Sequence, residues 1–280
     1  MRLIKTVREM NALVDGLKKE GKTIALVPTM GSLHEGHLSL VETAKRQADA
    51  VVMSIFVNPL QFGAGEDFSV YPRDLIKDCS LAEIAGVDCV FAPSADEMYL
   101  EGFASFVEVA ALSEHLCGAA RPGHFRGVTT VITKLFNIVM PDLAVFGQKD
   151  AQQVTIIERL TADLNLRTKI VRSPILREED GLAMSSRNSY LSPEERSQAV
   201  VISRSMSLAE ELFGRGELDA EAVKTAVRAK ISETALAEIE YVEIVDKKSL
   251  VPVTRLIAPA LLACAVRFGK TRLIDNIVLE

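Results

Sequence analysis

Residues 50–57, AVVMSIFV, are apolar almost without interruption. A strand with one face in water alternates apolar and polar residues; a run with no polar face is buried on both sides, as in a parallel sheet. Parallel strands need long crossover connections, usually helices. The flanking sequence supplies them. Helical spacing marks 6–20 (Val7, Met10, Leu13, Val14, Leu17), 37–47, 74–85, 127–140 and 151–162. Short apolar runs predict strands at 23–27, 88–92, 143–146 and 167–171, with 105–110 a short strand or hairpin arm. Strand and helix in alternation specify an α/β fold, a doubly wound, Rossmann-like parallel sheet over residues 1–175.

The pattern changes near Pro174. Ser192-Pro193-Glu194-Glu195 is a capping box with proline at the first helical position, so a helix starts there and runs to Phe213 and Gly214. A second helix is expected at 219–232, then strands at 239–246, 260–267 and 271–278. Residues 176–280 therefore form a smaller C-terminal α+β domain. They carry no catalytic motif and are expected to act as a lid over the cleft.

Composition excludes several classes. The net charge is −6 and no basic tail exists, which argues against a nucleic-acid partner. No apolar run reaches membrane-spanning length. The first residues alternate charge and hydrophobe and lack the apolar core of a signal peptide. Four cysteines, Cys79, Cys89, Cys117 and Cys264, are scattered without a CxxC pair, as in reduced core thiols of a cytoplasmic protein.

Chemistry-bearing residues cluster where such sheets bind ligands, outside the carboxyl ends of the strands. The first cluster is Val27–Leu40, VPTMGSLHEGHLSL. A strand turns through Pro28, Thr29, Met30 and Gly31 into a helix, and its free backbone N–H groups are expected to face a phosphate. Two of the four histidines, His34 and His37, lie here on one helix face. Read alone, they fit cap or surface histidines equally well. Zinc needs further ligands at a plausible spacing, and HEGH does not match the HExxH of zinc proteases. The remaining use is donation to polyphosphate as charge builds in a transition state. A second cluster, Gly147-Gln148-Lys149-Asp150 with Gln153, places a lysine for phosphate and an acid for a ribose hydroxyl or a cap. Met184-Ser185-Ser186-Arg187 offers two hydroxyls and a guanidinium. Asn58 and Gln61 offer neutral amides for a hydroxylated or carboxylate-bearing small molecule, and Arg121 to Gly127 is a basic loop before a helix.

Together PTMGSLHEGH, SIFVNPLQFG, EDFSVYPRD, RPGHFRGV, PDLAVFGQKDAQQ and DGLAMSSRNSYL, spread over residues 28–191, resemble the pantoate–β-alanine ligase family. The first turn also resembles the HIGH signature of class I aminoacyl-tRNA synthetases and related nucleotidyl transferases. MSSR stands where their Lys-Met-Ser-Lys-Ser loop would. The resemblance implies ATP, pantoate and β-alanine as substrates, with Mg²⁺ accompanying ATP. It implies a pantoyl adenylate, released pyrophosphate and AMP, and no covalent enzyme intermediate.

Carried over by position, Met30, Gly31, Ser32, Leu33, His34, Glu35, Gly36 and His37 would bind ATP. So would Gly147, Gln148, Lys149, Asp150, Met184, Ser185, Ser186 and Arg187. His34, His37, Lys149, Ser185, Ser186 and Arg187 would serve catalysis. Leu176, where the family often has Val, would contact adenine through its backbone. Gln61 and Gln153 would hold pantoate, supported by Asn58, and Asp78 would lie near the metal. Family members are commonly homodimers. A nucleotidyltransferase of the same superfamily, or a non-catalytic nucleotide-binding module, are the alternative readings. Intact Lys149 and both histidines argue against the second, and the Gln61/Gln153 pair and the missing basic face argue against a tRNA or phosphorylated acceptor.

Overall fold

The computed structural model describes residues 1–280. The chain begins with β1 (Arg2–Ile4), α1 (Val7–Lys19), β2 (Ile24–Thr29), α2 (Glu35–Lys45), β3 (Ala50–Ile55), α3 (Leu75–Ile84) and β4 (Cys89–Phe91). It continues with α4 (Ala95–Met98), α5 (Leu116–Ala120), α6 (His124–Val139), β5 (Leu143–Gly147), α7 (Ala151–Asp163) and β6 (Lys169–Ser173). The last part holds α8 (Pro193–Ala199), α9 (Val201–Gly214), α10 (Ala220–Ser232), β7 (Ala237–Asp246), β8 (Ala260–Phe268) and β9 (Thr271–Leu279).

Strands β1 to β6 form one parallel sheet in the order β1-β4-β3-β2-β5-β6. Its period of two is visible in the packing. Ile24 and Leu26 of β2 enter the core under α1, α6 and α7, while Ala25 and Val27 enter the core under α2 and α3. Both faces are dry, which explains the unbroken apolar runs. The C-terminal strands form an antiparallel sheet, β7-β8-β9, against α9 and α10. This is the expected α/β architecture with a small α+β addition. Val245, Leu250, Leu261 and Ala263 of that addition join the core of the large sheet, so the two sheets are packed together directly.

Four local expectations change. β1 was not foreseen; three residues are too short for a periodic signal, yet they pair with Cys89–Phe91 and extend the sheet by an edge strand. Residues 105–110 are not a strand. Hydroxyls of α6 bond Val107 instead: its N–H donates to Thr130 Oγ1 (3.1 Å), and Thr129 Oγ1 donates to its carbonyl (2.6 Å). Helix α6 starts at His124, three residues early. The helix expected from Ser192 to Phe213 breaks at Val200 into α8 and α9, although its capping box is present as expected. No helix is long and apolar enough to cross a membrane.

Candidate active site

The strand order puts the site at one place. From β2 the chain winds outward through β3 to β4, then returns to the other side of β2 as β5 and β6. The switch point, between β2 and β5, opens a crevice at their carboxyl ends. β2 delivers the Met30–His37 turn there, β5 delivers Gly147–Asp150, and β3 delivers Asn58–Gln61.

The first turn is held by Asp78, on the first turn of α3 and 1% exposed. Its Oδ2 accepts from Ser32 N–H (2.9 Å) and its Oδ1 from Leu33 N–H (2.8 Å). Gly31 sits at φ +81°, and a Cβ there would meet Asp78 Oδ2 at 2.7 Å, so the close approach requires glycine. Three further donors are used: Gly31 N–H goes to Thr29 Oγ1, His34 N–H to His37 Nδ1 and Gly36 N–H to His34 Nδ1, while the N–H groups of Met30 and Glu35 have no partner in the chain. The free backbone N–H groups expected to face a phosphate are thus reduced to those of Met30 and Glu35. A concave set of N–H groups binds whatever anion is nearest, and Asp78 is built into the chain.

What the turn also offers is imidazole. His34 and His37 form a reciprocal cap at the start of α2, with ring centroids 4.1 Å apart. Each Nδ1 accepts a backbone N–H, 3.1 Å for His34 and 3.3 Å for His37. In a neutral imidazole the other nitrogen then carries the proton, so both rings present Nε2–H. Burial, then the charge of Lys149, lowers the His34 pKa to about 4. Burial, then His34 and Lys149, lowers that of His37 to about 3. Both are neutral donors at neutral pH.

The crevice contains a cavity of about 220 Å³ lined by residues from all three strand-end loops and from 174–187. Met30, His34, Gly36, His37, Asn58 and Gln61 are on its wall. So are Gly147, Lys149, Asp150, Gln153, Leu176 and Met184 through Arg187. Gly31, Ser32, Leu33, Glu35 and Gln148 are not. The first three lie behind the wall at the Asp78 clamp, Glu35 is exposed, and Gln148 is held between Arg172 and Asn276.

Asn58 is 1% exposed and fully bonded. Its Nδ2 donates to Gln61 Oε1 (3.2 Å) and the Gly127 carbonyl (3.1 Å), and its Oδ1 accepts from Leu60 N–H and from Tyr99 Oη–H (2.7 Å). Gly127 lets α6 come this close, since a Cβ would lie 2.2 Å from the Leu60 carbonyl oxygen. The Gln61 carbonyl is gripped by His124 Nδ1–H (2.8 Å) and Arg121 Nη2 (3.3 Å). His124 is also neutral; burial, then Arg121, lowers its pKa to about 4.

The 184–187 loop docks onto the first turn through Ser186 Oγ, which donates to the Ser32 carbonyl (3.1 Å). Arg187 makes a two-pronged pair with Asp67 (Nε and Nη2, both 2.9 Å). Next to it, Arg121 pairs with Glu66 (Nε, 2.7 Å). A wider cleft of about 700 Å³ adjoins the cavity and shares Lys149, Asp150, Gln153, Ser185 and Arg187 with it; its far wall is β8 and β9. Asp150 makes no cap bond, leaving a free carboxylate between the two spaces.

A family model described as pantoate-beta-alanine ligase matches residues 2–278. The chain belongs to the pantoate–β-alanine ligase family. It is 59% identical to the pantothenate synthetase of Heliobacterium modesticaldum and 55% identical to that of Acetivibrio thermocellus, in each case over all of both chains. The crystal structure of pantothenate synthetase from Thermus thermophilus superposes with a TM-score of 0.95 at 45% identity, covering 100% of this chain and 99% of that one. A pantoate–β-alanine ligase from Francisella tularensis, crystallised with β,γ ATP and β-alanine, gives 0.81 at 32% identity, covering 99% and 97%. The chain is thus an enzyme, a ligase of this family.

Several residues around this crevice carried no sequence signal. Asp67 lies inside the EDFSVYPRD stretch with nothing to single it out, and Tyr99, Asp275 and Asn276 are isolated polar residues outside any motif. Ser54, 1% exposed on the cavity wall, has a hydroxyl with no partner in the chain. A buried orphan of this kind calls for a bound molecule or water.

Proposed function

We propose that this ligase condenses pantoate with β-alanine at the expense of ATP, through a pantoyl adenylate. In the first half-reaction a pantoate carboxylate oxygen attacks the α-phosphorus. The bond to the bridging oxygen breaks and pyrophosphate leaves. In the second, the β-alanine nitrogen attacks the acyl carbon and AMP leaves, giving pantothenate.

The observation that carries this reading is the pair of neutral Nε2–H donors of His34 and His37 on the wall of a cavity that also holds Lys149, Ser185, Ser186 and Arg187. Donors fixed before reaction stabilise developing phosphate charge without reorganising. With pKa values near 4 and 3 the rings are poor acids at neutral pH, so they act as hydrogen-bond donors to phosphate, not as proton sources. Lys149 supplies point charge, and Arg187 a fork matched to phosphate oxygens. Gln61 and Gln153, with the Asn58 support, offer neutral amides to pantoate, where a lysine or arginine would pair with its carboxylate and blunt the nucleophile.

Mg²⁺ arriving with ATP would supply positive charge against that of the phosphates and would need few protein ligands. Asp150 is the carboxylate free to approach it. Asp78 could serve it only by releasing Ser32 and Leu33. We carry a homodimer and a cytoplasmic location as further parts of this reading; sedimentation of the purified chain tests the first.

The test of the reaction is ATP–pyrophosphate exchange. Exchange should require pantoate, and AMP should appear on adding β-alanine. Exchange without pantoate, or ADP as product, rejects the proposal. Exchange that stops at a stable nucleotide product would favour a nucleotidyltransferase.

A further inference from the structure

The two loops that meet ATP in this reading belong to different parts of the chain, and both are fastened to the same dipeptide of β9. Asn276 is 3% exposed. Its Nδ2 donates to the carbonyls of Gln148 (3.1 Å) and Lys149 (2.9 Å), and its Oδ1 accepts from Gln148 Nε2 (3.2 Å). Both amide hydrogens and the oxygen are thus spent on the loop that carries Lys149. The far side of Gln148 is held by Arg172, which donates to Oε1 (3.1 Å).

Asp275 is 2% exposed and takes both prongs of Arg177 (2.7 and 3.0 Å). Arg177 also donates to the Gly181 carbonyl (3.1 Å). Residues 176–184 form a short hairpin, closed by Glu178 N–H to the Leu182 carbonyl and Met184 N–H to the Leu176 carbonyl. Its return arm leads directly into Met184–Arg187. A buried carboxylate keeps its partner, because an unpaired charge is strongly disfavoured away from water. Asp275 therefore fixes the base of the second loop, while its neighbour fixes the first.

We propose that Asp275 and Asn276 are positioning residues for the ligase reaction: from the C-terminal sheet they set the spacing between Lys149 and Ser185–Arg187. Neither touches the reacting atoms. They act through the two loops, so the C-terminal sheet is part of the catalytic frame as well as a cover. The role of the two loops is that of the reading above; the existence of the frame is a property of the fold.

The experiment is a double-mutant cycle on the full-length enzyme, measured as pantoate-dependent ATP–pyrophosphate exchange. Asn276→Ala should lower the exchange kcat on the order of 100-fold, the scale of displacing a reacting group by about an ångström, with the KM for pantoate nearly unchanged. In a Lys149→Ala background the same change should cost little more, because the two act as one unit. Lys247→Ala, on an exposed surface pair with Glu280 and outside both loops, should leave both constants as in the wild type. If Asn276→Ala does not fold, Asn276→Ser, which keeps one donor, and Asp275→Asn, which keeps shape without charge, are measured instead. Wild-type kcat in the folded variants, or full additivity with Lys149→Ala, overturns the proposal. Absence of exchange in the wild-type enzyme rejects the reaction assigned above, a separate outcome.

Discussion

His37 accepts the backbone N–H of His34 at its own Nδ1, 3.3 Å away, and His34 accepts Gly36 N–H at its Nδ1, 3.1 Å away. The caps of α2 thus assign the tautomers of both rings. They leave Nε2–H as the group each ring offers to the cavity.

A neutral donor can be replaced by another neutral donor. His34→Ala and His37→Ala should each lose roughly 100-fold or more in exchange kcat, as for a lost preorganised donor. Glutamine at either position retains an N–H at similar reach, so His34→Gln and His37→Gln should recover at least about tenfold of that loss. Steady-state exchange rates decide it. Equal loss in the Gln and Ala variants would point to proton transfer, which an amide cannot perform.

Three histidines, His34, His37 and His124, have pKa values lowered to about 4, 3 and 4 by burial. The unfolded chain binds protons near pH 6.5 and the folded one does not. Their contribution is therefore complete above that pH and is lost as pH falls toward 4, by up to about 1.4 kcal/mol per histidine per pH unit. Urea unfolding at pH 7, 6 and 5 should show this loss, and His124→Gln should reduce its slope. Stability that stays level from pH 7 to 5 contradicts it.

Asp78 should behave as a structural clamp. Asp78→Asn leaves at least one of two buried N–H groups without an acceptor, at about 1–3 kcal/mol per orphaned group. The urea midpoint should drop while the Mg²⁺ concentration giving half-maximal activity stays put. A large shift in the Mg²⁺ midpoint at wild-type stability would make Asp78 a metal ligand.

In the proposed reaction Asp67, which holds both prongs of Arg187, would compete with phosphate for it. Asp67→Asn removes a partly exposed pair worth up to ~1 kcal/mol, so the KM for ATP should fall about two- to fivefold. Arg187→Lys loses the fork and should raise it. A raised KM in Asp67→Asn would show instead that the carboxylate helps to seat the nucleotide.

Most of the sheet was legible because β2, β3 and β5 are buried on both faces and have no polar alternation to confuse them. Asn58, Gln61, Lys149, Gln153 and the Ser185–Arg187 loop were legible as motifs, and the strand order explains why they meet. The edge strand β1 was not, being too short to show a period. The bonding of Val107 was not, because its partners are hydroxyls of a helix more than twenty residues away.

By itself the sequence determined the alternation of elements, the capping of α8, and the residue types at the strand ends. These are local properties, set by side-chain period and by bonds spanning three or four residues. Only the tertiary structure decided what each polar group is bonded to. Whether the first turn's N–H groups face a ligand depends on Asp78, 45 residues from Leu33. Whether Lys149 is held in place depends on Asn276, 127 residues away. A buried donor must find an acceptor wherever the chain brings one, and sequence spacing carries no record of that choice.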